Sequence, residues 1–288
     1  SDHSSDIIRA LETELKRKNV QEHKNTKVKE LLFEGDRVKG IRLENGKELF
    51  YNDVVVATGG MSYQTTGSDG DGYRFAEKAG LAVTPLRPAL VPLETEEAYI
   101  RELQGLSLKN VTMTIKNGKK TLFDGFGEML FTHFGVSGPI VLSLSNLAAD
   151  ALAAGKDVEL EVDLKPALSE EKLDARIQRD FVQYSRKQVL NGMKDLLPQR
   201  LIPVVLDMSY VDENKFINQV SREERHRLLQ TLKHFVITIS ATRPIAEAIV
   251  TAGGVSVKEI DPKTMESKRI KGLYFAGEVM DVDGYTGG

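Results

Sequence analysis

The sequence predicts an α/β fold in which glycine-rich loops follow apolar strands. Three observations lead there. Strand-like runs between residues 26 and 51 are joined by two tight turns. DVVVATGG (53–60) carries three valines into a run of small residues. GLYFAGEVMDVDGYTGG (272–288) does the same with Leu273, Tyr274 and Phe275, and adds a carboxylate, Glu278, directly after the strand.

The elements follow in order. Ile7, Ile8, Leu11 and Leu15 fall on one face of a helix over 6–18, with Ser4 or Ser5 as its cap. The strands at 26–33, 37–43 and 47–51 are separated by Glu34-Gly35-Asp36 and Asn45-Gly46. Asn-Gly is a strong hairpin signal, so the three form an antiparallel meander. The valines 54–56 read as a strand buried on both faces. Ala57, Thr58, Gly59 and Gly60 then let the backbone approach a neighbour closely. TTGSDGDG (65–72) leads into a short helix over 73–79 that ends at Gly80.

Prolines 85, 88 and 92 mark a change of character. Beyond them, strands are expected at 111–115, 122–123, 158–164 and 235–239, and helical periodicity at 170–196 and 221–232. Glycines return in TAGG (251–254) and in the closing run. Ligand-type loops near both ends, with an ordinary stretch between, predict a discontinuous domain. It comprises 1–93 with 242–288, interrupted by an insertion over 94–241.

Composition narrows the function. A net charge of −3 gives no general polyanion binder, although a local basic patch is compatible with it. Lys and Arg gather in 176–200 and 222–233, but Asp180, Asp195, Glu223 and Glu224 interleave with them. That is the pattern of a solvated face, and nucleic acid is disfavoured as a partner. The absence of cysteine removes disulfides, thiolate metal sites, iron–sulfur clusters and dithiol relays. No apolar run approaches the roughly 20 residues of a membrane span. The opening SDHSSD is polar, so no signal peptide is expected. A cytoplasmic location with no membrane partner is the expectation, although many periplasmic proteins also lack cysteine. The five histidines show no metal-ligand spacing.

The chemistry gathers in the glycine-rich runs. Gly277 permits a tight exit from the strand before it. Glu278 then sits at a strand's carboxyl end, where open α/β sheets bind ligands. Its carboxylate can accept hydrogen bonds from sugar hydroxyls. Gly284, Gly287 and Gly288 would offer backbone N–H groups. Plain turns would also explain either cluster alone. The two together describe a nucleotide-type ligand.

VVVATGG, then GSDGDGYRFAEKAG (67–80), then GLYFAGEVMDVDGYTGG resemble, in that order, the two-dinucleotide-binding-domain flavoproteins of the glutathione-reductase fold. GEMLFTHFGVSGPIVLSLS (127–145) and ISATRPIAEAIVTAGGVSVKEID (239–261) resemble a narrower group. It is the bacterial FAD-dependent oxidoreductases that include aminoacetone oxidase and a bile-acid dehydro-reductase. The resemblance implies a Rossmann-like FAD-binding domain of the glutathione-reductase type, with an inserted mixed α+β substrate domain. It implies that the Val28 backbone meets the adenine end. Ala57, Thr58, Gly59 and Gly60 would line the adenosine and pyrophosphate. Gly277, Glu278 and Asp281 would serve the ribityl or pyrophosphate region, and Gly284, Gly287 and Gly288 the flavin pyrimidine edge. The reaction implied is hydride transfer through flavin N5 to or from a small organic substrate, with NAD(P)H or oxygen as electron partner. The family's opening GxGxxG unit and its closing Tyr-Asn pair and helix do not occur in this sequence. The expectation is therefore a truncated flavoprotein that binds FAD weakly or not at all.

Few side chains suggest substrate handling. His133, in FTHFGVSG, could shuttle a proton or simply be structural. Arg243, in SATRP, could meet an acidic substrate or an anionic flavin, or form a hinge ion pair. Tyr285 could stack near the flavin or pack. Asp281 and Asp283, beside glycines, have the look of turn caps. Two alternatives stand beside the oxidoreductase: a tRNA-modifying flavoprotein, and a non-catalytic fragment that binds a ligand or partner. Oligomeric state is left open.

Overall fold

The computed structural model describes residues 3–118 and 120–282. The chain opens with helix α1 (Ser4–Arg17), followed by strands β1 (Val28–Glu34), β2 (Arg37–Leu43), β3 (Glu48–Phe50) and β4 (Val54–Val56). Next come α2 (Asp71–Lys78), β5 (Val83–Ala89), β6 (Leu93–Thr95), β7 (Ser107–Asn117), β8 (Lys120–Phe131), β9 (Gly135–Ser137) and α3 (Pro139–Ala153). After β10 (Val158–Asp163) the chain is helical, with α4 (Glu170–Gln183), α5 (Val189–Gly192), α6 (Ile202–Met208) and α7 (Arg222–Lys233). It returns to strand in β11 (Phe235–Thr242), β12 (Val250–Val255) and β13 (Leu273–Phe275). Among the described residues no helix is long and apolar enough to cross a membrane.

Two compact units form. The first is Ser1–Val56 with Lys258–Ala276, and the second is Ala57–Val257 with Gly277–Gly288.

In the first unit the expected meander is present, with sheet order β1-β2-β3 and antiparallel pairing throughout. Strand β13 pairs in parallel with β4, Leu273 opposite Val54 and Phe275 opposite Val56. The strand 54–56 is not buried on both faces as its composition suggested. Val56 is buried, but Val55 is 61% exposed. In a two-stranded sheet alternate residues face opposite sides, and an unbroken apolar run does not reveal that one side is open. Helix α1 begins at Ser4, with His3 rather than a serine at its N-cap and no side-chain cap bond.

The second unit holds the largest feature, a closed antiparallel barrel in the order β10-β11-β6-β9-β8-β7. Alternation builds it. Val158, Leu160 and Val162 of β10, and Phe235, Ile237 and Ile239 of β11, are buried at every second position. They share one core with Leu93, Met113, Ile115, Phe131 and Val136. A barrel this small is filled by its own side chains. Helix α3 starts with Pro139 and buries Ile140, Val141, Leu144 and Ala148 in the same core. Leu173 and Ile177 of α4, and Leu228 and Leu232 of α7, join it. The helical stretch expected over 170–196 stops at Gln183, and a separate short helix, α5, follows. Helix α7 opens on a capping box between Ser221 and Glu224. Helix α2 closes on Gly80 (φ +75°), with Gly80 N–H bonded to the Glu77 carbonyl and Leu81 N–H to that of Ala76. This is the Schellman pattern.

TAGG corrects an expectation. It lies inside β12, every residue of which is buried, and not in a ligand loop. A Cβ on Gly253 would stand 2.3 Å from the Pro85 carbonyl oxygen, and one on Gly254 would stand 2.7 Å from that of Val279. These glycines serve backbone packing at the bulge in the β12–β5 ladder.

Candidate functional site

The segment 57–70 departs from regular structure repeatedly. Gly59 (φ +71°), Tyr63 (+52°), Gly67 (+100°) and Gly70 (+85°) are all left-handed. For tyrosine this conformation costs about 1 kcal/mol or more, and such strain gathers at ligand sites. Ala57 is exposed, and Thr58 and Gly59 are half-buried. The Thr58 hydroxyl is buried with no hydrogen-bond partner among the described residues. Buried polar atoms are normally satisfied, so this orphan is compatible with a donor or acceptor from outside the chain, as are those of Thr95, Glu97 and Tyr99.

Gly60 is buried, and its close neighbours are protein. A Cβ there would lie 2.4 Å from Thr251 Oγ1 and 2.6 Å from Glu278 Oε1. Thr251 Oγ1 accepts hydrogen bonds from Met61 N–H at 2.8 Å and Ser62 N–H at 3.2 Å. Thr251 N–H donates to Glu278 Oε1 at 2.6 Å, and the Ser62 hydroxyl donates to the same oxygen at 3.2 Å. A carboxylate has about four lone-pair positions, so these two donors orient Glu278 without exhausting it. Behind it, the Tyr73 hydroxyl lies 3.5 Å from the Glu278 carbonyl oxygen. Burial, reinforced by the Glu278 charge, pushes the Tyr73 phenol up to about 12. Gly277 (φ +78°) faces open space, as a tight exit requires. Asp281 is half-buried, and its N–H is held by the Val255 carbonyl at 2.9 Å.

A second cluster forms around Arg243. Its guanidinium bonds Glu247 at 2.9 and 2.6 Å and Glu94 at 2.7 Å, and lies over the Phe134 ring, 4.5 Å from the centroid. The Phe134 ring meets that of His133 edge-on at 4.9 Å. His133 is exposed, in a turn closed by Thr132 N–H to the Gly135 carbonyl at 2.8 Å. The hydrogen bonds to Glu247 and then Glu94 hold Arg243 firmly protonated. The Arg243 hydrogen bond lowers the Glu247 pKa, with a smaller contribution from the charge of His133.

The structure therefore joins His133 and Arg243 through Phe134 and Glu247. Gly60 and Glu278 meet around Thr251. Val28 lies in the other unit, half-buried at the start of β1 opposite Leu43. Gly284, Tyr285, Gly287 and Gly288, with Asp283, lie outside the described residues. Ser62, Tyr73, Glu94, Phe134, Glu247 and Thr251 were not singled out as site residues. Their importance rests on pairings up to 216 residues apart, as between Ser62 and Glu278, which no local pattern reveals. Among the described residues no group of three or more His, Asp or Glu side chains could hold a metal ion. An orphan hydroxyl, a strained glycine-rich turn and an oriented carboxylate with spare acceptor capacity fit a dinucleotide such as FAD.

The barrel decides the family. Residues 87–250 match the description "HI0933-like protein barrel and H2TH domain". The chain belongs to the HI0933-like family. That match takes in all six barrel strands and helices α3 to α7. Among HI0933-like relatives, a 3-dehydro-bile acid delta(4,6)-reductase of Clostridium scindens is 29% identical. The alignment covers 100% of this chain and 70% of that protein. A ribosomal RNA dihydrouridine synthase of Haemophilus influenzae is 35% identical over 88% of this chain and 60% of its own length. Its Escherichia coli counterpart is 33% identical over 85% and 58% respectively. The chain thus spans about three-fifths of the two synthases. All three relatives are named as enzymes. The reductase matches the resemblance to a bile-acid enzyme, and the synthases meet the RNA-modifying alternative in part, since their names specify ribosomal RNA.

Proposed function

We infer that this chain works in an FAD-dependent reductase that saturates a carbon–carbon double bond conjugated to a carbonyl. The observation that carries this reading is a reaction shared by the relatives' names. A delta(4,6)-reductase acting on a 3-dehydro bile acid, and a synthase making dihydrouridine, both add hydrogen across such a bond. The site geometry supports the cofactor half. Bound FAD would supply a hydride from flavin N5.

This chain's own residues do the remaining work. Thr58 and Gly59 line the dinucleotide, with Gly60 packed behind them against Thr251 and Glu278, and Glu278 accepts from its hydroxyls beside Gly277 and Asp281. Saturating the bond needs a proton as well as a hydride, and His133 delivers it from the exposed turn. Arg243, held by Glu94 and Glu247 and stacked on Phe134, positions that turn. In this reading 1–93 with 242–288 serves the cofactor and 94–241 the substrate.

The test is anaerobic. Flavin reduced with NAD(P)H or dithionite should be reoxidised stoichiometrically by a 3-oxo-4-ene steroid or a uridine, and not by an isolated alkene. Bound reduced flavin that stays reduced in the presence of both acceptors would sink the reading. A second reading places the double bond in ribosomal RNA, favoured by the higher identity to the synthases. It predicts binding of an rRNA fragment that weakens steeply with salt.

A further inference from the structure

Thr251 is 1% exposed and lies in β12, opposite Pro88 of β5. Its side chain does not line the barrel core. Instead it ties together three stretches that are remote in sequence. The 61–62 backbone lies 190 residues away along the chain, and Glu278 lies 27 away. A hydroxyl offers two acceptor lone pairs. Here one meets Met61 N–H and the other Ser62 N–H. The Thr251 N–H separately fixes the carboxylate oxygen that Ser62 also holds. The turn therefore packs around Gly60 so closely that no side chain fits there. Three residues before Met61 stands the orphan Thr58 hydroxyl.

We propose that Thr251 is a positioning residue that presets the 58–62 turn and the Glu278 carboxylate for a dinucleotide. It touches no ligand itself. The inference rests on the cofactor reading above, and goes beyond it by making one buried hydroxyl responsible for the site's shape before the cofactor arrives. Valine has the shape of threonine but no acceptor. Thr251→Val leaves two buried N–H groups without partners and frees the turn, whereas Thr251→Ser keeps the acceptor.

The experiment is titration of the protein with FAD, followed by quenching of flavin fluorescence, in the wild type, Thr251→Val, Thr251→Ser and Ser62→Ala. Thermal melts run in parallel define the folded fraction, and amide exchange is read at Met61 and Ser62. Thr251→Val should raise the FAD dissociation constant by about tenfold or more, as loss of acceptors for two buried donors implies. Thr251→Ser should stay within roughly threefold of wild type, and Ser62→Ala should fall between the two. Exchange at Met61 and Ser62 should quicken in Thr251→Val even without FAD. A folded Thr251→Val protein that binds FAD as the wild type does would overturn the proposal. If that variant does not fold, unchanged binding in Ser62→Ala would overturn it. A wild type that binds no FAD removes the cofactor reading and this inference with it, an outcome distinct from equal binding by both proteins.

Discussion

Arg243 grips Glu247 through two hydrogen bonds, Nε to Oε2 at 2.9 Å and an Nη to Oε1 at 2.6 Å, while its plane covers the Phe134 ring. A planar fork can do both at once, and a lysine cannot. Charge-assisted hydrogen bonds contribute about 1.5–3 kcal/mol when a partner group is partly desolvated. Arg243→Ala should therefore lower stability by about 2 kcal/mol, and Arg243→Lys by roughly half of that, since it keeps charge but loses the fork. Denaturant titration measures both. Equal midpoints for Arg243→Lys and wild type would show that the fork geometry is unimportant.

Tyr73 predicts an alkaline limit. An unfolded tyrosine ionises near 10, whereas the folded protein keeps its phenol neutral to about 12. Below pH 10 both states are protonated and stability is intact. Above pH 10 the unfolded chain ionises first, so stability falls until pH passes about 12. The full loss is about 2–3 kcal/mol, the free-energy equivalent of that displacement. Tyr73→Phe should abolish this portion of the alkaline loss. A Tyr73→Phe curve parallel to wild type between pH 10 and 12 would refute the assignment.

The capping box of α7 predicts the opposite slope. The Lys215 hydrogen bond, with those from Ser221 behind it, holds the Glu224 carboxyl below its usual range against a smaller opposing effect of burial. A lowered folded pKa gives stability that is full above the ordinary carboxylate range near 4.5 and is lost as pH falls. Glu224→Gln should melt below wild type at neutral pH, by about 1 kcal/mol, and converge with it in acid. A gap that stays constant from neutral pH to below 4 would contradict this.

What the sequence revealed, and what it hid, follows from the range of each interaction. The meander was legible because Asn45-Gly46 and alternating side chains act within a few residues. Gly80 was legible as a helix end for the same reason. The barrel was not foreseen. Its strands were found in part, at 111–115, 158–164 and 235–239, but closure depends on β10 meeting both β7 and β11, and β6 meeting both β9 and β11. Nothing local specifies those pairings. TAGG looked like a ligand loop because glycine permits close approach to anything. Here it approaches the Pro85 and Val279 carbonyls. Glu278 was found from its place after a strand, whereas Thr251, which orients it, was visible only as a member of that glycine run.

Gly60 and Gly277 separate two reasons for glycine that look identical in sequence. At Gly60 the backbone has an ordinary φ, and the constraint is space, with Thr251 Oγ1 and Glu278 Oε1 within 2.6 Å of where a Cβ would sit. Both neighbours are held by the hydrogen bonds that shape the site and cannot withdraw without breaking them. Gly60→Ala should cost about 2–3 kcal/mol, in the range of overpacked cores. At Gly277 nothing lies within 4 Å of a Cβ, but φ is +78°. There the only penalty is backbone strain, so Gly277→Ala should cost about 1–2 kcal/mol. Combining each with Thr251→Ser distinguishes the mechanisms. Serine lacks the methyl but retains the oxygen that Gly60→Ala strikes, so the Gly60→Ala cost should change once the smaller side chain can rotate. The Gly277→Ala cost should not. Purely additive costs in both double variants, read from denaturant midpoints, would mean that the Gly60 environment is not the rigid one described.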